Sequence, residues 1–141
     1  MATEGPMLRD TQTVAAAEYN TPTTLLYGPG GTGQFLCVVT SGPRTSAIQT
    51  SANGRVDGVL QNTPSIGQAC DVCRYGLTKV VAGGAINVAT EARLVCDANG
   101  RVVTWTATGN KWIVGIAMEN AGAAGDIILA MIGLSSDQSA V

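Results

Sequence analysis

Few residues in this chain are able to do chemistry, and its four cysteines are the first to test. Cys70-Asp-Val-Cys73 has the spacing of a redox pair or of half a zinc knuckle, and Cys37 and Cys96 could complete a four-cysteine set. Structural zinc sites more often bring two close pairs, whereas Cys37 and Cys96 stand alone in separate strand-like segments. A thioredoxin-like role needs the first thiol at a helix N-terminus, where its pKa falls. This pair instead opens a strand pattern and brackets an aspartate, which raises it. Three readings stay open, in this order: buried thiols acting as small hydrophobes, a disulfide in one of several connectivities, and zinc.

No histidine occurs, which removes the side chain best suited to proton transfer near neutral pH and most hydrolase schemes with it. Asp57, Asp71, Asp97, Glu119 and Asp126 all lie in or beside turn signals, where carboxylates ordinarily meet water or backbone N–H groups. Gly28-Pro-Gly-Gly-Thr-Gly33 has the spacing of a phosphate-cradling loop, yet the Lys and Ser/Thr that must follow are Gln34 and Phe35. Phe35-Leu-Cys-Val-Val-Thr40 then reads as a strand where a helix N-terminus should receive phosphate. The glycine run is therefore read as a flexible turn. Tyr75, Trp105 and Trp112 could serve as a stacking platform for a glycan or a single strand; without surrounding Lys or Arg, such rings more often anchor a core or an interface. No catalysis, cofactor or metal is expected.

The elements that would position these residues follow from composition. At 141 residues the chain is one ordinary domain. Its charged fraction of 13% is about half the usual share, and its 18 glycines are many. That pairing suits a compact β-protein whose surface is covered by something else. A net charge of −2 with eight scattered basic residues argues against a nucleic-acid partner, which needs Lys and Arg gathered on one face. No apolar run approaches the ~18–20 residues of a spanning helix, and Met-Ala-Thr-Glu-Gly-Pro has neither a basic n-region nor an apolar h-region. The expectation is a soluble product of the cytoplasm with no membrane partner.

Three parts are expected: an extended arm with the Gly-rich turn over 1–33, a β-domain over 34–133, and a polar tail over 134–141 that needs no partner. Leu8, Val14, Tyr19 and Leu25 make the arm more apolar than a solvated tail requires, so an arm that orders on a partner is expected. Asn53-Gly54 predicts a hairpin between 47–50 and 55–60, and Asn99-Gly100 a second one between 92–96 and 101–106. Residues 71–81 read as one half-buried strand with Cys73, Tyr75 and Leu77 inward, Arg74 and Thr78 outward, and a bulge at Gly76. Residues 112–118 and 127–132 are apolar on both faces and so belong in central strands. The fold class is mainly β: a small β-barrel, closed or nearly so, packed inside and covered outside.

Laid end to end, these segments resemble the capsid cement or head-decoration proteins of tailed bacteriophages. The signature is Gly58-Val-Leu-Gln-Asn62 with Pro64 and Gly67, then Gly76, Lys79-Val-Val-Ala-Gly-Gly-Ala-Ile86, Asp97-Ala-Asn-Gly-Arg-Val102, Gly115-Ile-Ala-Met-Glu119 and Gly125-Asp-Ile-Ile128. It spans roughly residues 54–132. The resemblance implies a barrel or β-tulip-like domain in a structural virion protein. Many copies of it, as homotrimers, would bind the major capsid protein on the outer surface of an icosahedral head. The alternative is a head-fibre or surface-binding module that recognises glycans.

Overall fold

The computed structural model describes residues 9–13, 33–42, 45–63, 69–106 and 109–139. Those residues contain ten strands and no helix, in the order β1 (Arg9–Thr13), β2 (Cys37–Gly42), β3 (Thr45–Ile48), β4 (Gly58–Leu60), β5 (Ala69–Cys73), β6 (Gly76–Val81), β7 (Arg93–Cys96), β8 (Val102–Thr104), β9 (Asn110–Ala117) and β10 (Ile127–Ser139). They form two five-stranded sheets, ordered β1-β5-β4-β2-β3 and β6-β10-β9-β7-β8, and every strand pairing within them is antiparallel. The mainly β expectation holds, and the reason is local. Val, Ile and Thr crowd the strand segments, and glycine or asparagine occupies positive-φ positions between them, as at Asn53, Gly76 and Gly100.

The expected barrel is not closed. In the first sheet the outer strands β1 and β3 come within 8 Å of each other, but no hydrogen-bonded ladder joins them. The second sheet bends until Ala82, just past β6, makes a single parallel bridge to Val102 of β8. Two curled sheets with one shared core replace the single barrel.

That core follows from the two-residue period of each strand. On one face of the first sheet, Cys37, Val59 and Cys73 lie side by side and pack with Val80, Leu94, Ile128 and Ala130 of the second. On the opposite face Val38, Ile48, Leu60, Cys70 and Val72 form a second cluster inside the curl. Both faces of the first sheet are thus buried along β4, whose three residues are all inaccessible.

Three local expectations are corrected. Asn53 does adopt the positive φ of 63°, but β3 and β4 flank β2 on either side, so 51–57 is a crossover and not a hairpin loop. Residues 71–81 are two strands in different sheets; the chain passes between sheets at Arg74-Tyr75, and Gly76 takes φ 112° there. The passage inverts the alternation, so Thr78 is buried while Tyr75 and Leu77 are 51% and 52% exposed. The polar tail has a partner after all: β10 continues past a register shift, pairing Ser136 with Ile113 and Ser139 with Asn110. Ladder bonds need backbone groups only, and β9 offers them. The Asn99-Gly100 hairpin stands as expected between β7 and β8, and β9 and β10 are interior strands.

Candidate functional site

The four thiols come first. All four are buried, and none is joined in a disulfide. Cys70 and Cys73 lie three residues apart in β5, so their side chains point to opposite faces, Cys70 into the curl of the first sheet and Cys73 into the shared core. An extended strand separates their Cα atoms by about 10 Å, beyond the ~7 Å limit for a disulfide. Burial pushes the Cys37 thiol well above its ordinary value, with Cys96 and Asp97 adding to the shift. Burial likewise raises Cys96 to about 11, against the lowering effect of its hydrogen bond to the Gly54 carbonyl; its thiol also donates to the Ser51 carbonyl at 3.2 Å. These are the conditions of inert packing thiols. Among the described residues no cluster of His, Cys, Asp or Glu is arranged to hold a metal ion.

The carboxylates serve turns. Asp97 accepts backbone N–H bonds from Asn99 and Arg101 and pairs with the Arg101 side chain at 3.0 Å. Asp126 closes the 122–126 turn through the Gly122 and Ala123 N–H groups. Glu119 receives the Leu129 N–H at 2.8 Å. Asp57 takes the Thr40 N–H and pairs with Arg55. Each of these four carboxylates accepts a backbone N–H.

What stands out is a face of the second sheet. Register places Leu77 of β6 opposite Met131 of β10, Met131 opposite Ile116 of β9, and Ile116 opposite Arg93 of β7. The row ends at Trp105, whose backbone N–H bonds the Arg93 carbonyl and whose ring lies 4.0 Å from the Arg93 guanidinium carbon. A parallel row runs from Lys79 to Leu129 and Met118. Tyr75, Leu77, Ile116, Met118, Ile127 and Met131 are the large apolar residues left exposed among those described, and they share this face or its lip. Elsewhere on the same side of the sheet the chain covers itself. The 51–57 crossover hydrogen-bonds to Cys96 and Trp112, and there Val95 and Val114 are buried.

The β7 border of the bare face is electrostatically tied down. Glu91 grips Arg93 through two side-chain bonds of 2.7 Å. Those bonds hold the Glu91 carboxyl down at about 2. Arg93 also stacks on Trp105, a favourable cation–π contact. The indole Nε1 of Trp105 is buried and finds no acceptor among the described residues. At the opposite lip, Tyr75 opens onto a small cavity of ≈ 170 Å³ lined by Val56, Asp57, Arg74, Val114 and Ile132.

Of the residues singled out in the sequence, Leu8, Val14, Tyr19 and Leu25 lie outside the described residues, as does most of the Gly28–Gly33 run. Arg9–Thr13, within the expected arm, adds to the first sheet as an edge strand beside β5. Tyr75 is half exposed, while Trp105 and Trp112 are partly buried. Sequence reading missed the bare face itself. The signal was there: Ile116, Met118, Ile127 and Met131 alternate with core residues in strands that are apolar on both sides.

The described residues thus form two antiparallel sheets that leave an apolar face uncovered. Residues 33–132 match the family model described as phage cement protein, and the chain belongs to that family. This makes it a structural protein of the phage head. The fold is similar to the crystal structure of the head fiber gp8.5 N base in bacteriophage phi29, with a TM-score of 0.60 and 19% sequence identity, covering 91% of this chain and 97% of that one. A search of curated protein sequences finds no significant relative.

Proposed function

We propose that this chain binds the outer surface of an icosahedral phage head as a homotrimer and stabilises the capsid lattice through contacts with the major capsid protein. The observation that carries the reading is membership of the cement family over 33–132, joined to an apolar face that the chain leaves bare. Its chemistry is that of adhesion. An apolar face supplies area, and an extended arm can add as a strand to an exposed edge, using backbone bonds that tolerate inequivalent sites. Leu8, Val14, Tyr19 and Leu25 are the side chains assigned to that capsid contact. Several arms on one oligomer raise each other's effective concentration, so weak single contacts become durable.

The likeness to a head-fibre base favours a second reading, in which the chain seats a fibre or recognises a glycan, with Tyr75 beside the Asp57–Arg74 cavity as the sugar-facing ring. Quantitative mass spectrometry of purified particles separates the two. Copy numbers comparable to the shell protein, with a loss of shell thermal stability when the chain is omitted, are expected. A few copies per particle would overturn lattice cement and leave the fibre base.

A further inference from the structure

We infer that the bare face of β6, β10 and β9 is the contact between copies of this chain, with the β6 border of one copy meeting the β9 border of the next around a rotation axis. The inference deepens the self-association in the reading above by naming its surface. Six large apolar side chains between 38% and 53% exposed sit on this face or its lip. Together they present roughly 500–600 Å² of apolar surface, at the upper end of what a monomer leaves bare. With Lys79, Leu129 and the Arg93–Trp105 stack at its margins, the face approaches the ~800 Å² per partner of a stable interface.

Backbone chemistry selects the occupant. β10 and β9 are interior strands whose hydrogen bonds are spent within the sheet, so an extended segment could add only along β6, the edge strand at one border of the face. Over β10 and β9 the face is left to pack against another apolar face, and a second copy supplies one of matching pitch. Charge selects the arrangement. Lys79 stands on the β6 border, and Glu119 follows the end of β9 on the other side. Arg93, beyond β9, is already compensated by Glu91. Opposite signs on opposite borders favour a head-to-tail contact, Lys79 against Glu119 and Leu77 against Ile116, with Met131 and Leu129 nearest the axis. Such heterologous contacts close into a ring where the rotation between successive copies closes.

The test needs the full chain in solution and no heads. Sedimentation and light scattering should show an oligomer for the wild type. Met131→Lys and Ile116→Lys, which bring a charge into the seam, should weaken association by about a hundredfold or more while circular dichroism stays unchanged. Should either lysine variant lose its fold, Leu77→Cys combined with Ile116→Cys provides an independent readout. Under a mild oxidant the double variant should cross-link into species larger than a dimer, and each single variant should not; the native thiols are buried. A monomeric wild type, oligomers that survive both lysine variants, or no cross-linking would overturn the inference. A monomer that still coats heads would sink this contact and leave the head-binding reading intact, whereas an oligomer that ignores heads would do the reverse.

Discussion

The two sheets are built from similar residues and finish them differently. In the first, both faces are closed along β4: β4 is buried throughout, Cys37, Val59 and Cys73 meet the second sheet, and Val38, Leu60 and Val72 fill the curl. In the second, the inner face is closed by Val80, Ala130 and Ile132, while the outer face keeps Leu77, Ile116 and Met131 in water. The contrast separates two uses of apolar surface. Burial within the chain stabilises the fold, and burial left undone stabilises a contact with something else.

Substitutions can break that contrast, and the largest effect belongs to the first sheet. Leu60→Ala removes a fully buried side chain from the curl and should destabilise the chain by about 2–5 kcal/mol in urea titration. A loss under about 1 kcal/mol would mean that the curl is loosely packed and the two sheets are less different than described. Next comes Gly115→Ala in β9. A Cβ there would run into the Met131 carbonyl oxygen and stand 2.8 Å from the Ile132 Cα, both backbone atoms that cannot step aside. Overpacking of this kind should cost about 1–3 kcal/mol, a test of how tightly β9 and β10 are ruled together beneath the bare face.

Smaller effects sharpen the comparison. Met131→Ser, measured at a concentration where the chain is monomeric, should move stability by no more than about 0.5 kcal/mol, since its side chain is 45% exposed. A drop comparable to Leu60→Ala would show that the face is already covered. The thiols report on closure too. Cys37 and Cys96 should resist a thiol reagent at pH 8 until denaturant is added, because burial raises both above their ordinary values. Rapid labelling under native conditions would place an opening motion between the sheets.

Much of this architecture was legible in the sequence, and where it was not the reasons are physical. The strand periods of β7 to β10, the Asn99-Gly100 turn and the interior position of β9 and β10 are all encoded locally. The passage between sheets at Arg74-Tyr75 was not, because a glycine in a strand reads equally as a bulge or a corner until tertiary pairing decides. Asn53 shows the same limit: its positive φ is local, but the strands it joins are separated by β2. The bare face was hidden for a further reason. Apolar residues on both sides of a strand indicate burial on both sides, and sequence does not distinguish cover by the chain from cover by a neighbour. The reactive-looking pattern Cys70-Asp-Val-Cys73 failed as chemistry because its spacing, suited to a turn, falls on a strand and divides its thiols between two cores.

The smallest expected effect tests the electrostatic border of the bare face. Glu91 is held down at about 2 by its bonds from Arg93, against an ordinary value of 4.5. A depressed carboxyl contributes stability that is fully present above about 4.5 and is lost as pH falls through about 2. Arg93 is 49% and Glu91 24% exposed, so solvent screens the pair and the contribution is small. Glu91→Gln should flatten the acid limb of the melting-temperature profile in that window and leave the neutral plateau nearly unchanged. Its second consequence lies in association. Arg93, no longer neutralised, would face the Lys79 border of the next copy, and like charges across a seam should raise the dissociation constant a few-fold at low salt. Added salt should erase the difference, because exposed charges are screened. If the acid limb flattens while association is untouched, the Glu91–Arg93 pair serves the second sheet alone, and the border between copies lies elsewhere on the face.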